Sequence, residues 1–106
     1  MNNNLLPAIG LCKKAGKLII GFDAVAAAIQ QNQVSLLALA GDLSPKSAKE
    51  IIRLAQGAGV THLTISVTMN DIKRTVGKRA GILAITDQGL ANSVAAKARQ
   101  VEEESV

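Results

Sequence analysis

At 106 residues the chain is long enough for one compact domain and too short for two. Its residues are 48% hydrophobic but only 1% aromatic (Phe22 alone), which excludes intrinsic disorder, and the single cysteine excludes a disulfide scaffold. The 12 Lys and Arg against 8 Asp and Glu leave a formal charge of +4, compatible with a polyanionic partner and equally with a generic soluble surface.

In chain order, Leu5, Ala8, Ile9 and Cys12 recur at helical spacing, so a first helix is expected to end near residues 14–16. Cys12 then faces the core; no histidine lies nearby in sequence to make it a reactive thiol. Residues 17–21 are β-rich and punctuated by Gly21. Phe22, Val25, Ala28 and Ile29 form the buried stripe of a second helix ending near Gln31-Asn32, with Asp23, Ala26, Ala27 and Gln30 on its open face. Leu36-Leu37-Ala38-Leu39-Ala40 is apolar on both faces, as a strand covered on each side must be. Ser44 with Pro45 opens a third helix whose core face is Ala48, Ile51, Ile52 and Ala55 and whose opposite face carries Lys46, Lys49 and Arg53. Residues 61–65 read as a strand, and Thr68 with Asp71 suits a capping box for a short helix holding Met69, Ile72 and Val76 inward. A tight basic loop, Gly77-Lys78-Arg79-Ala80-Gly81, leads into the strand Ile82-Leu83-Ala84-Ile85, and Asp87 caps a last helix carrying Leu90, Val94 and Ala98. The alternation predicts an α/β fold, a three-layer α-β-α sandwich on a four-stranded sheet, as one domain over residues 1–101. Residues 102–106, with Glu102, Glu103 and Glu104, are expected to be a frayed acidic tail, which makes the remainder more basic than the net figure.

No targeting or membrane segment is expected. The run from Leu5 to Leu11 contains Pro7 and has no basic residue before it, and no stretch is long enough to span a bilayer. A cytoplasmic location with Cys12 reduced follows. Enzyme chemistry finds little support. Gly57-Ala58-Gly59 follows a helix, whereas a dinucleotide fingerprint follows a strand, and Gly77-Lys78 lacks the rest of a phosphate-binding P-loop. One His and one Cys far apart supply no metal-ligand set, so neither metal nor cofactor is expected. His62 reads as a partly exposed histidine at a sheet edge, with no acid pair near it in sequence. Asp42 and Asp87 each follow a strand and form the one candidate carboxylate pair, although capping and turn roles account for both.

The basic residues fall into four groups: Lys13, Lys14 and Lys17; Lys46, Lys49 and Arg53; Lys73, Arg74, Lys78 and Arg79; Lys97 and Arg99. The second reads as the solvated back of an amphipathic helix. The third surrounds a loop whose glycines, Gly77 and Gly81, permit close approach of a backbone while Lys78 and Arg79 meet phosphates. With no aromatic platform for stacking bases, structured RNA suits this inventory better than a single strand.

Three segments in register carry a resemblance: Lys14-Ala15-Gly16-Lys17-Leu18-Ile19-Ile20-Gly21; Leu37-Ala38-Leu39-Ala40-Gly41-Asp42 with Ser44-Pro45; and Ile72 through Gly77-Lys78 into Leu83-Ala84-Ile85-Thr86-Asp87. Over about residues 5–98 the chain resembles the ribosomal L-seven-Ae and L-thirty-e superfamily of kink-turn RNA-binding proteins, its bacterial YlxQ-like branch above all. The resemblance implies an L-thirty-e-like sandwich with a mixed sheet, no enzymatic activity, and RNA contacts at the start of the second helix and in the loop before the last strand. Carried over, Lys14, Gly16, Lys17 and Gly21 match the turn leading to the second helix. Gly77, Lys78, Arg79, Ala80, Gly81 and Ile82 match the second contact loop, where an apolar residue packs against the RNA kink. Where strong kink-turn binders follow the glycine with an Asn-Glu pair and, one turn later, a lysine, this chain has Asp23, Ala24 and Ala27. That departure removes base-edge contacts worth about 1–3 kcal/mol each and implies weakened kink-turn specificity, with phosphate contacts to structured, ribosomal or kink-turn-like RNA remaining. A ribosome-associated monomer is expected. The alternative is a protein-interaction module for a ribosomal or maturation protein, using the alanine-rich face at Ala24, Ala26 and Ala27.

Overall fold

A central strand that is buried on both faces needs apolar side chains in both directions, and two segments of the chain supply them. In the computed structural model, which describes the backbone of residues 4–104 and the side chains of residues 4–99, every residue of Leu36–Ala40 and Ile82–Ile85 is buried. The elements are α1 (Leu5–Lys14), β1 (Leu18–Ile20), α2 (Phe22–Gln30), β2 (Leu36–Ala40), α3 (Pro45–Gly57), β3 (His62–Ile65), α4 (Met69–Val76), β4 (Ile82–Ile85) and α5 (Gln88–Glu104). The sheet order is β1-β4-β2-β3. β2 and β3 are parallel, while β4 runs antiparallel to both β1 and β2, so the sheet is mixed.

Strand alternation divides the interior in two. Leu36, Ala38, Ala40, Leu83 and Ile85 join Ile9 and Cys12 of α1, Ile72 and Val76 of α4 and Val94 of α5 on one face. Leu37, Leu39, Ile82 and Ala84 join Val25 and Ile29 of α2 and Ile51 and Ala55 of α3 on the other. The register agrees: Leu37 opposes Ala84 and Leu39 opposes Ile82, each pair on one face. This is the expected three-layer sandwich. Ala26 departs from expectation. It is half-buried and packed on the α2–α3 core instead of standing on the open face, because α2 lies close enough to its neighbours to cover that flank. Of the expected acidic tail, the backbone of residues 102–104 continues α5, while the side chains of Glu102, Glu103 and Glu104, and all of Ser105 and Val106, lie outside the described residues.

Local chemistry sets the helix boundaries. Ser44 Oγ accepts the Ser47 N–H at 3.3 Å with Pro45 in the first turn of α3. Thr68 and Asp71 cap each other's backbone at 3.0 Å in a capping box opening α4, and Gly77 ends that helix at φ +84°. Asp87 Oδ2 accepts the Leu90 N–H at 2.8 Å at the start of α5.

Strand direction then decides what meets what. β1, β2 and β3 point the same way, and each is followed by a helix, so α2, α3 and α4 all begin at one end of the sheet. β4 starts at that end also, whereas α1 ends and α5 begins at the opposite end.

Candidate nucleic-acid interface

The turn opening α2 and the loop preceding β4 are joined by the main chain. The Gly21 N–H donates to the Ile82 carbonyl at 2.9 Å, extending the β1–β4 ladder by one bond. Gly21 then takes φ +98° and ψ 156°, open essentially to glycine alone, so that the chain turns sharply from β1 into α2. Asp23, Ala24 and Ala27 follow, all exposed. On the other side of β4, Ala40 donates to the Gly81 carbonyl at 2.9 Å, and Gly41 to that of Val67 at 2.9 Å. Three helix starts and the end of the basic loop therefore share one end of the sheet.

Within that loop Lys78 and Arg79 are exposed and Ala80 is half-exposed. The Arg79 guanidinium is held back over the first turn of α4: its Nε donates to Asn70 Oδ1 at 3.2 Å, and its Nη1 lies 3.9 Å from Met69 Sδ. Sequence reasoning passes over Asn70, since it stands nine residues from Arg79 and only the reversal of the chain after Gly77 brings the two together. Two of the carboxylates at this end serve helix starts. Asp42 Oδ1 accepts the Met69 N–H at 2.9 Å. Asp71 accepts the Thr68 N–H and pairs with Arg74; the Thr68 hydrogen bonds, ahead of the Arg74 charge, hold its carboxyl below the ordinary carboxylate range. Asp23 carries its charge into solvent.

Two expected contact residues turn inward. Gly81 is buried, and a Cβ there would lie 2.7 Å from Leu43 Cδ1 and 3.1 Å from Met69 Sδ, so its missing side chain makes room for Leu43 and Met69 and not for a ligand. Ile82 is 4% exposed and points into the α2–α3 core, because it is the first residue of a strand buried on both faces. The Ile82 side chain does not reach the surface.

Lys14, Gly16 and Lys17 do not join Gly21 at this end. They sit at the opposite end of the sheet, where the Lys17 carbonyl accepts the Thr86 N–H at 3.0 Å beyond the Leu18–Ile85 pair. β1 separates them from Gly21, so the matched segment 14–21 spans the sheet from end to end. The same antiparallel placement of β4 puts Asp42 and Asp87 at opposite ends, and no carboxylate pair forms between them. His62 is half-exposed on the edge strand β3, as expected. Among the described residues no three His, Cys, Asp or Glu side chains are grouped as metal ligands.

The geometry can be compared with known proteins. The family model described as the ribosomal protein L7Ae/L30e/S12e/Gadd45 family matches residues 3–95. Over 89 residues the chain is 30% identical to the RNA-binding protein YlxQ of Bacillus subtilis (strain 168), covering 83% of this chain and 88% of that protein. Among solved structures, a protein of unknown function from Bacillus halodurans superposes with a TM-score of 0.82 at 23% identity, over 90% of this chain and 96% of that one. The Giardia lamblia 15.5kD RNA binding protein superposes with a TM-score of 0.74 at 18% identity, over 97% of this chain and 92% of that one. At these identities the two structures establish the shared fold.

Proposed function

The chain belongs to the ribosomal protein L7Ae/L30e/S12e/Gadd45 family, and on that premise we propose that it is a non-enzymatic RNA-binding protein that docks on structured RNA mainly through phosphate contacts. The observation that carries this reading is the joining of the α2 turn to the Lys78–Arg79 loop by the Gly21–Ile82 hydrogen bond. Helix starts carry partial positive charge, and two exposed cations beside them make this end of the sheet attractive to phosphates. YlxQ, the 30% identical relative, is an RNA-binding protein by name, which supports the same partner.

Specificity is the weaker part of the interface. Asp23 repels phosphate, and the methyl groups of Ala24 and Ala27 neither donate nor accept. Kink-turn RNA is therefore preferred only modestly over a plain duplex, and ribosomal RNA in the cytoplasm is the proposed setting. The second reading, protein docking at the α2 face, draws on exposed Ala24 and Ala27 but loses Ala26 to the core.

Binding measured by fluorescence anisotropy across a salt series tests the proposal. Affinity is expected to fall steeply with salt for both a kink-turn RNA and a duplex. Lys78→Ala with Arg79→Ala is expected to weaken binding roughly tenfold or more, about the loss of one charge-assisted hydrogen bond or two, and more than Lys46→Ala with Lys49→Ala. A flat salt response, or equal losses from the two pairs, would refute the assignment.

A further inference from the structure

The lysines at the far end of the sheet have no place in the interface just described, and they adjoin a groove of a different kind. Lys13 and Lys14 close α1, and Lys17 stands in the turn before β1; all three are exposed, and none makes an ion pair among the described residues. The backbone of Lys17 is fixed on both sides. Its N–H donates to the Cys12 carbonyl at 2.9 Å and its own carbonyl accepts from Thr86. Beside it runs an open groove lined by Lys17, Asn32, Gln33, Ser35 and Thr86, among others. Those five side chains make no hydrogen bonds within the described protein, so their donors and acceptors all face solvent. The acid at this end, Asp87, is half-buried and already accepts the Leu90 N–H.

We propose that this end of the sheet is a second RNA-contact surface, and that one copy of the domain joins two RNA segments. The inference rests on the RNA-binding reading above and adds a site to it. Lysines beside neutral amides and hydroxyls are the inventory that meets an A-form backbone: ammonium groups on phosphates, amides and hydroxyls on ribose 2′-hydroxyls. Lys17 and Gly21 are four residues apart across an extended strand, about 13 Å at roughly 3.3 Å per residue, and the two surfaces face away from each other. A duplex docked against one end of the sheet leaves the other end open to a second RNA segment. The carbonyl ends of α1, α2 and α3 also point toward the lysine end, and Lys13 and Lys14 partly serve to offset them. The second surface is accordingly the weaker of the two.

A capture assay tests this with the full chain. One RNA duplex is immobilised, saturated with protein and washed, and a second, fluorescent RNA duplex of different sequence is added; sedimentation of the protein alone establishes that it is monomeric under these conditions. The wild type is expected to capture the second duplex, and to capture a DNA duplex of the same sequence several-fold less well. Lys13→Glu, Lys14→Glu and Lys17→Glu together are expected to reduce capture at least tenfold and to weaken binding of the first duplex far less, both read at a salt concentration that screens the two ends of the sheet from each other. Gln in place of Glu at the same positions is expected to give an intermediate loss, and amide NMR spectra of both variants verify the fold. Capture unaffected by the lysine changes, capture of DNA equal to that of RNA, or absence of capture by a protein that binds the first duplex would overturn the second surface and leave the first intact. Absence of binding to the first duplex would refute both.

Discussion

Two glycines bracket the basic loop, and the structure gives them unlike roles. Gly77 ends α4 in a left-handed turn with open space around its missing side chain. Gly81 is buried, with Leu43 and Met69 occupying the volume a Cβ would need. The nearest atom, Leu43 Cδ1, is the far end of a flexible side chain, but Leu43 Cβ at 3.3 Å and Met69 Sδ at 3.1 Å stand close behind it. Gly81→Ala is therefore expected to cost about 1–3 kcal/mol of stability by overpacking, read from urea denaturation. Adding Leu43→Ala is expected to return part of that loss, since the two residues share one volume. A neutral Gly81→Ala would show that Leu43 and Met69 yield the space without cost and that their packing sets no need for glycine. Arg79 illustrates the complementary case, an exposed side chain that the fold nevertheless holds in place through Asn70.

At the scale of elements, α4 is the support on which the contact loop is built. Its eight residues begin with the Thr68–Asp71 capping box, receive a further cap from Asp42 after β2, and carry Asn70 and Met69 against Arg79. Thr68→Ala is expected to cost about 1 kcal/mol, the usual loss of an N-cap, and a thermal or urea melt checks it. The box also ties stability to pH. The Asp71 carboxyl titrates below its ordinary range because the Thr68 groups hydrogen-bond its charged form. A depressed native pKa contributes stability that is complete above the ordinary carboxylate value and is lost as pH falls through the native one. Urea titrations at descending pH are expected to show Asp71→Asn losing less stability on acidification than the wild type. Parallel curves for the two proteins would remove the box from the acid response.

For the molecule as a whole, the two cores meet at β2 and β4, so neither face can open without exposing the other. Cys12 reports on that cooperativity. It is 0% exposed on the sheet-facing side of α1, and burial foremost, with the Asp87 charge second, pushes its thiol pKa up. A thiol-specific colorimetric reagent is expected to react with Cys12 only at the rate of unfolding, and stoichiometrically once urea unfolds the chain. Rapid reaction in native buffer would mean that α1 opens by itself.

Element types, the buried face of each helix, the caps at Ser44, Thr68 and Asp87 and the inward position of Cys12 were all legible in the sequence, because periodicity and capping act over three or four residues. Ala26 was not, since a small residue sits equally well on either side of a helix boundary with solvent. Nor were the fates of Gly81 and Ile82, where the distinction between loop and buried strand falls between neighbouring residues. Composition, periodicity and motifs in register suffice for an aromatic-poor, basic α/β sandwich of a recognisable family. Where its charge goes follows from strand pairing instead. Strand order and direction depend on pairing between segments far apart in the chain, and local pattern is nearly blind to them. Placing β4 antiparallel between β1 and β2 joins Gly21 to the Lys78–Arg79 loop and sends Lys14, Gly16 and Lys17 to the opposite end.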